Sequence, residues 1–312
     1  MKSWGQSFTA VRIAVVRAIR TPRVRVTDMA VDLHTHSNYS DGTQAPAEVV
    51  AAAQAAGLAG LALTDHDTTV GWAEATAAAE ESGMILLPGM EITTLTENGI
   101  SVHLLSYLHD PQHAGLAEAV SDARDARANR ARTMALRLGE DFPITWDDVR
   151  AQAEPGATFG RPHLADALVA VGAVEDRQEA FDRFLHRRSR YYVSQENMHP
   201  VTAIRLVLAA GGVPVLAHGM ASSRGRTVST EQIEEMIEAG LAGVEVWHRD
   251  NPAEGRDLLS DIAEHHGLLR TGSSDYHGTG KPNVLGENVT SADTVARIID
   301  QASGTPAIHW PS

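Results

Sequence analysis

The chain has 312 residues, no cysteine and a formal net charge of −14 at pH 7. Without cysteine it can form neither disulfides nor thiolate metal sites, so any metal must be held by nitrogen and oxygen ligands. The acidity argues against broad nucleic-acid binding through a basic surface, and no uncharged apolar run reaches the roughly 18 residues of a membrane-spanning helix.

Residues 1–28 differ in composition from the remainder of the chain. They contain six basic side chains against one acidic side chain, Asp28, for a local charge of +5. The apolar run 11–19 is interrupted by Arg12 and Arg17 and is too short for a secretory signal. We expect this basic N-terminal extension to be disordered, or to be an artefact of an upstream start with the true start at Met29; a transit peptide fits less well. We expect a cytoplasmic protein.

From Ala30 onward, short apolar runs alternate with alanine-rich amphipathic stretches, a pattern typical of βαβ units and a parallel sheet. The predicted strands are Ala30–His36, Ala59–Thr64, Met84–Met90, Ile100–Tyr107, Val213–Ala217, Gly243–Trp247 and Leu268–Gly272. The predicted helices between them, each closed by a glycine, are Pro46–Ala56, Thr69–Ser82, Val201–Ala210, Thr230–Ala239 and Pro252–His266. Seven strands with intervening helices predict a closed or nearly closed α/β barrel.

The alternation is interrupted between Tyr107 and Val213, where the sequence contains no convincing strand. The helices predicted in this stretch are Gly115–Leu138, Trp146–Gln152, Arg161–Val171 and Arg177–Leu185. We therefore predict a helical insertion over residues 108–196, carried by a barrel that consists of residues 29–107 and 197–312.

Histidines and carboxylates collect near the ends of the predicted strands. His34 and His36 stand at i and i+2 of the first strand, so alternation directs both imidazoles to one face, where they can chelate one metal. Such a pair alone is weak evidence, but further candidates lie near other strand ends: Asp41, His66, Glu91, His103, His218, Asp275 and His277. Since the carboxyl ends of barrel strands build active sites, this distribution predicts a metal centre there. Asp65 and Asp67 are candidates for supporting the ligands or transferring protons.

Five motifs in combination resemble the PHP family (polymerase and histidinol phosphatase). They are Asp-Leu-His-Thr-His-Ser at 32–37, Ser-Asp-Gly at 40–42, Thr-Asp-His-Asp at 64–67, Pro-Gly-Met-Glu at 88–91 and Ser-Asp-Tyr-His at 274–277. The resemblance extends from Val31 to about Glu287. It implies a metal-dependent phosphoesterase with a distorted (β/α)7 barrel.

The resemblance also implies which side chains hold metal. His34, His36, Glu91 and Asp275 would hold a first ion and its bound water, Glu91, His103 and His218 a second ion, and Asp41, His66 and His277 a third. We therefore expect two to three divalent ions, and the nitrogen and oxygen ligands suit Mn, Fe or Zn. The expected reaction is attack of a metal-bound hydroxide on a phosphate ester. Because all nine positions carry competent ligands, a non-catalytic PHP module that only binds metal and phosphate is the weaker alternative.

Amidohydrolases are the main rival among barrel enzymes, because they too begin with a His-x-His pair. Many binuclear members bridge their metals with a carbamylated lysine after the fourth strand. The only lysines here are Lys2 and Lys281, and neither stands in such a position, whereas Glu91 can bridge. Phosphoester hydrolysis is favoured on this ground and on the complete set of PHP motifs.

Three side chains of the predicted insertion are candidates for binding substrate. Arg130 lies on a long predicted helix, and Arg161 and His163 lie at a helix start, where phosphates bind readily. Related PHP members with such an insertion carry arginines there that contact substrate phosphate, which favours this role for Arg130 and Arg161. For His163 a packing or capping role is nearly as well supported, and for Arg132 we expect a solvated surface position.

Within the PHP family the chain most resembles the subgroup that acts on nucleoside 3′,5′-bisphosphates and short 5′-phosphorylated RNA. This resemblance predicts a nucleotide or short RNA as the binding partner, with the insertion as a substrate cap. Histidinol phosphate is the alternative substrate. We expect no membrane association and no stable protein partner.

Overall fold

The computed structural model describes Met1, residues 29–194 and residues 196–311. The prediction of a basic extension over residues 1–28 therefore falls outside the described residues, apart from Met1. Within the described part of the chain, no helix is long and apolar enough to cross a membrane.

Within these residues, eight strands form one sheet in the order β7-β6-β5-β4-β3-β2-β1-β8. They are β1 (Ala30–Thr35), β2 (Gly60–Leu63), β3 (Ile85–Leu95), β4 (Ser101–Tyr107), β5 (Val213–Leu216), β6 (Gly243–Trp247), β7 (Leu269–Gly272) and β8 (Thr290–Ser291). The first seven match predicted strands to within a few residues, and the two-residue β8 was not predicted. The expectation of an all-parallel sheet is wrong, because β4 runs antiparallel to both β3 and β5, and β8 runs antiparallel to β1.

The two edges of the sheet approach each other and nearly close it into a barrel. β8 pairs with β1, and the Thr290 hydroxyl donates to the Gly272 carbonyl of β7 at 2.8 Å. Beyond β7, Tyr276 forms a parallel bridge with Thr35 at the end of β1. The predicted distorted α/β barrel is confirmed.

The described residues form ten α-helices, which surround or extend from the strands. They are α1 (Pro46–Ala55), α2 (Trp72–Ser82), α3 (Ala114–Leu138), α4 (Trp146–Arg150), α5 (Arg161–Ala170), α6 (Arg177–Ala180), α7 (Pro200–Ala209), α8 (Thr230–Glu238), α9 (Ala253–His266) and α10 (Ala292–Gln301). The predicted helix Arg177–Leu185 is α-helical only to Ala180 and continues as a π-helical turn over Phe181–Leu185. Helix α10 was not predicted.

The helices α3 to α6 pack around an apolar cluster of their own. Its buried members include Met134, Leu138, Leu164, Leu168 and Leu185. Each fully buried side chain of this kind contributes about 1.5–3 kcal/mol relative to an exposed one. The residues predicted as an insertion therefore have an apolar core separate from the clusters that the barrel strands form.

The pairing of β1 with β2 shifts its register between Asp32 and Thr35. A bulge of this kind re-aims side chains and is common beside active sites. Here Leu33 belongs to an apolar cluster with β3, β4 and β5, while His34, the next residue, faces the carboxylates described below.

Candidate metal centre

The predicted metal ligands converge at one end of the barrel. His34 and His36 are fully buried, and their Nε2 atoms lie 3.1 Å apart. The His36 amide donates to the Tyr276 carbonyl at 2.8 Å, which ties the end of β1 to the segment that follows β7. This pairing brings residues 34–36 next to residues 275–277.

Glu91 lies at the centre of this cluster with 1% of its surface exposed. Because β3 is longer than predicted, Glu91 sits within the strand and not just past its end. Oε1 is 2.7 Å from His103 Nδ1 and 3.1 Å from His218 Nε2. His103 reaches the same edge because β4 is antiparallel, so its N-terminal half meets the carboxyl end of β3. In all, the two oxygens lie 2.7–3.3 Å from nitrogens of His34, His36, His66, His103 and His218.

Two aspartates complete the cluster. Asp275 Oδ1 lies 3.4 Å from each of the two paired Nε2 atoms. Its backbone has a φ of 55°, an uncommon conformation for a residue other than glycine that persists where the surroundings enforce it, often at functional sites. Asp41 Oδ1 lies 3.0 Å from His277 Nε2, and its Oδ2 lies 3.9 Å from His66 Nε2.

Burial and neighbouring charges set the protonation of these groups. Burial alone would raise the pKa of Glu91, but the surrounding imidazoles hold that pKa well below its ordinary value. Burial lowers the pKa of His277 to about 4 and holds the pKa of His66 well below its ordinary value. Both rings are therefore neutral at pH 7, the form that binds metal. Burial opposes protonation of His36 as well, yet hydrogen bonds to Asp275 and Glu91 raise its pKa to about 9, so this end of the site attracts positive charge.

The geometry suits divalent cations. The Nε2 atoms of His34 and His36 lie 3.1 Å apart, so they can share only one proton. One oxygen of Glu91 and one oxygen of Asp275 face the same pair of nitrogens. His66 Nδ1 is buried and makes no hydrogen bond to the described residues. Within the described chain, three sets of ligand atoms lie within 4.8 Å of one another: His34, His36, Glu91 and Asp275; His36, Asp41 and His66; and His66, Glu91 and His103. The first set is the one predicted for the first ion, and the others overlap the predicted second and third sets without His218 and His277.

Comparison with known proteins identifies the family of this chain. The family model of the PHP domain matches residues 32–141. A 3′,5′-nucleoside bisphosphate phosphatase of Chromobacterium violaceum is 34% identical over 252 residues, which are 80% of this chain and 88% of the relative. The chain belongs to the PHP family. A 5′-3′ exoribonuclease of Haemophilus influenzae is 32% identical over 265 residues, covering 85% of this chain and 96% of the relative.

A solved structure supports the same reaction class. It comes from Bifidobacterium adolescentis, is assigned as a metal-dependent phosphoesterase, and is 47% identical with a TM-score of 0.86 over 88% of this chain and 97% of that chain. The predicted resemblance to the bisphosphatase and exoribonuclease subgroup is confirmed, and the PHP protein described here is a phosphoric ester hydrolase.

Glu245 is a buried member of the PHP site that the sequence analysis missed. Its Oε1 lies 3.1 Å from His34 Nδ1, and its Oε2 accepts the His218 amide at 2.7 Å. Burial would raise its pKa, but His34 and then His248 outweigh burial and lower the pKa to about 2. The available signal was a lone glutamate in the otherwise apolar strand Gly243–Trp247.

Lys281 also lies at the centre, contrary to the sequence analysis, which gave it no place there. Its Nζ is 3.1 Å from Asp275 Oδ2. The position after β7 still does not match a bridging lysine after a fourth strand. Asp65 and Asp67 act on neighbouring segments: Asp65 accepts the Ser37 amide at 2.7 Å, and Asp67 pairs with Arg127 at 2.7 Å.

The candidate substrate residues of the insertion line the same cavity as His66, His103 and His218. Arg130 donates to the Val193 carbonyl at 2.8 Å and stacks on Tyr192. Arg161 donates to the Leu185 carbonyl at 3.1 Å and stacks on Phe181, and no carboxylate of the described chain lies within ion-pair distance of it. Burial and the nearby Arg161 lower the pKa of Arg130 to about 10, so these cations lie close together.

His163 has the capping role that the sequence left open, and it also lines the cavity. Its Nδ1 accepts the Gly160 amide at 3.1 Å and so caps helix α5, while the ring lines the cavity with 3% of its surface exposed. Only Nε2 is left to meet a substrate. Arg132 is exposed on helix α3, as expected for a solvated side chain.

Proposed function

We propose that this chain hydrolyses nucleoside 3′,5′-bisphosphates or short 5′-phosphorylated RNA with the help of two to three divalent ions. The observation that carries the proposal is a continuous cavity of about 1490 Å³ lined both by histidines of the candidate metal centre and by the half-buried Arg130 and Arg161. A substrate with two separate phosphates fits such a cavity, because one phosphate can meet the metal centre while the arginines bind the other.

Under this proposal, the ions are held by the nine predicted ligands: His34, His36, Asp41, His66, Glu91, His103, His218, Asp275 and His277. When bound, such ions supply Lewis acidity toward the phosphoryl group and a nucleophile at neutral pH. The ligand set of nitrogen and oxygen atoms suits Mn, Fe or Zn. The five imidazoles around Glu91 support a bridging role for this carboxylate between two ions.

Arg130 and Arg161 would bind the phosphate that is not hydrolysed. Each guanidinium is stacked on an aromatic ring, at 5.1 Å from Tyr192 and 5.2 Å from Phe181, which fixes its plane. Burial and then the repulsion from Arg161 lower the pKa of Arg130, and a bound anion would relieve that repulsion. Arginine suits this task because its planar fork matches two phosphate oxygens. Residues 108–196 would then act as a substrate cap.

The relatives support a nucleotide substrate, since they are named a 3′,5′-nucleoside bisphosphate phosphatase and 5′-3′ exoribonucleases. Histidinol phosphate is the alternative, but it has a single phosphate and so offers no second phosphate for Arg130 and Arg161 to bind. A module that binds metal without catalysis is disfavoured by the complete set of nine ligands.

The test is an assay of the metal-loaded chain on four substrates: adenosine 3′,5′-bisphosphate, a 5′-phosphorylated oligoribonucleotide, histidinol phosphate and p-nitrophenyl phosphate. We expect kcat/KM to be highest for one of the first two. Removal of the ions by a chelator should abolish hydrolysis, and their return should restore it. Full activity of verified metal-free protein, or a preference for histidinol phosphate, would contradict the proposal.

A further inference from the structure

Arg177, the first residue of helix α6, connects the helical insertion to the barrel. Its Nε and Nη2 form a two-pronged ion pair with Asp166 of helix α5, at 2.6 and 2.7 Å. Its Nη1 donates to the backbone carbonyl of Asp41 at 3.1 Å. The Arg177 side chain is 21% exposed, so this planar arrangement is shielded from solvent on most sides. One guanidinium thus links two helices of the insertion to the turn that carries Asp41.

The turn at residues 37–43 is held from two sides. On the barrel side, Asp65 accepts hydrogen bonds from the Ser37 amide at 2.7 Å and from the Ser40 hydroxyl at 2.6 Å. On the insertion side, the Thr158 amide donates to the Tyr39 carbonyl at 2.9 Å, next to the contact made by Arg177. The path of this turn therefore depends on where the insertion lies.

Arg177 also packs on the turn that follows His277. A Cβ atom added at Gly280 would collide with the Arg177 guanidinium, so this position requires glycine while the arginine stays in place. The Gly280 amide donates to the His277 carbonyl at 3.2 Å, and the Thr43 amide donates to the same oxygen at 3.2 Å. The segments that carry Asp41 and His277 thus meet beside the Arg177 side chain.

We propose that Arg177 is a positioning residue for the third metal site, formed by Asp41, His66 and His277. The inference rests on the proposed function, because it takes these three side chains as ligands. His66 is set by the bridge between its backbone and Glu91 of β3, whereas Asp41 sits in a turn with no strand of its own. Without Arg177, Asp41 loses its direct contact with the insertion, and only the hydrogen bond from Thr158 to Tyr39 still joins the turn to it, so the Asp41 carboxylate is held less firmly against His277. The coupling is reciprocal: the free energy by which contact with the insertion favours ion binding equals the free energy by which a bound ion favours that contact.

The test measures ion binding to metal-free protein and does not depend on turnover. Arg177→Met keeps the bulk of the side chain without its charge, and Arg177→Lys keeps the charge without the planar fork. Arg183→Met is the matched control, because Arg183 lies in the same insertion but pairs only locally with Glu179 and stacks on Phe184. Mn²⁺ titration of each protein gives the number of sites and their affinities.

We expect Arg177→Met to weaken one of three Mn²⁺ sites about 10- to 100-fold, the usual effect of removing a group that orients a ligand, while the other two keep their affinity. Arg177→Lys should recover part of the loss, and Arg183→Met should bind as the wild type does. Hydrogen exchange of metal-free Arg177→Met should be faster at residues 37–43 and unchanged in strand β2.

Wild-type binding of all three ions by Arg177→Met would overturn the inference. So would an equal weakening of every site together with a lower melting temperature, because that pattern indicates a general role in folding. A wild-type chain that binds only two ions would remove the third site and the inference with it. A wild-type chain that binds three ions but hydrolyses no nucleotide would contradict the proposed function alone.

Discussion

Lys281 Nζ lies 3.1 Å from Asp275 Oδ2, and His248 Nε2 lies 3.6 Å from the same oxygen. The two oxygens of Asp275 therefore have different neighbours: Oδ1 faces His34 and His36, and Oδ2 faces Lys281 and His248. Of the 26 lysines and arginines in the sequence, 24 are arginine, so it is unusual for this chain that the basic residue at this position is a lysine. Its compact ammonium can hold one carboxylate oxygen without competing for both, as a guanidinium fork would.

We expect Lys281→Met to lower kcat/KM on all phosphate esters by about 5- to 30-fold. This range corresponds to about 1–2 kcal/mol, the scale of a charged hydrogen bond reduced for partial exposure. The metal content should stay unchanged, since Lys281 is not among the proposed ligands. Lys281→Arg should rescue only partly, because its fork would engage both Asp275 oxygens. Steady-state kinetics and elemental analysis of the same preparations check both statements.

Arg249→Met is the control for the Lys281 variants. Arg249 lines the same cavity, but its polar contacts are Asn283 at 3.3 Å and Glu287 at 3.6 Å. It should therefore keep near-normal kinetics. If Lys281→Met instead lost its metal, a lysine-bridged centre of the amidohydrolase type would again have to be considered.

Most of the nine predicted ligands were selected with two general rules, and Asp41, which lies in a turn, was selected with the Ser-Asp-Gly motif of the PHP resemblance. Alternation along β1 and the placement of active sites at the carboxyl ends of barrel strands are independent of detailed packing. The antiparallel β4 was missed because both βαβ units and hairpins give separate apolar runs. Only the short link from Leu95 to Ser101, with no room for a helix, distinguishes them. His103 still lies at the same edge of the sheet as the other candidates. The reason is that β4 runs in the reverse direction and His103 stands near its N-terminal end.

Glu245 and the contacts of Lys281 and Arg177 could not be predicted from the sequence. A single glutamate in a five-residue strand can face solvent or the barrel interior, and only the closed sheet decides between them. The contact between Arg177 and Asp41 joins segments more than a hundred residues apart, and the contact between Lys281 and Asp275 forms within an irregular segment whose path no local pattern specifies. Contacts made by irregular segments are therefore the part of this site that required a structure.

Glu91→Gln should be among the most damaging single substitutions. Its two oxygens face five imidazoles, and an amide offers one acceptor oxygen and no negative charge. We expect loss of at least one ion and a fall in kcat of at least about a hundredfold, or about 3 kcal/mol. Elemental analysis and single-turnover kinetics measure these effects, and Glu235→Gln on the exposed face of α8 is the control. Near-normal turnover and metal content in Glu91→Gln would refute the bridging role.

Glu245→Gln should behave differently from Glu91→Gln, because Glu245 acts on a ligand and not on the metal. The carboxylate fixes the His34 ring through Nδ1 and holds the His218 amide. We expect metal affinity to fall about 10- to 100-fold, with much of the turnover regained at saturating metal. Metal titrations followed by activity at high metal concentration separate the two effects. A variant that stays inactive when fully loaded would show that Glu245 has a direct part in the reaction.

Arg130→Ala and Arg161→Ala test the proposed second phosphate site. Each should lower kcat/KM on adenosine 3′,5′-bisphosphate by about 1.5–3 kcal/mol, the scale of a charged hydrogen bond, with a much smaller effect on p-nitrophenyl phosphate. Lysine replacements should rescue partly, and metal content should not change. Arg132→Ala is the matched control, since Arg132 lies exposed on the same helix. Equal and small effects on both substrates would indicate that Arg130 and Arg161 have a structural role and do not bind substrate phosphate.

The last prediction concerns stability and pH, and depends on His109, which lies apart from the metal centre. Its ring is 1% exposed, its Nδ1 lies 2.8 Å from the Ser106 hydroxyl, and it packs against Trp72. His109 lies in a loop that is buried at this point. Burial lowers its pKa from 6.5 to about 4, so the folded protein keeps this ring neutral.

This shift in pKa makes the free energy of unfolding depend on pH. Between pH 6.5 and pH 4 the unfolded chain binds a proton at His109 and the folded chain does not, so stability falls as the pH decreases. At pH 5 the loss relative to pH 8 is about 2 kcal/mol from this residue. His109→Gln removes the titrating group, so its stability should fall less over the same interval. Urea unfolding of metal-free wild type and variant at pH 8 and pH 5 gives the difference, in which the protonation of the other histidines cancels. An identical pH dependence of the two proteins would mean that His109 is protonated in the folded state as readily as in the unfolded chain.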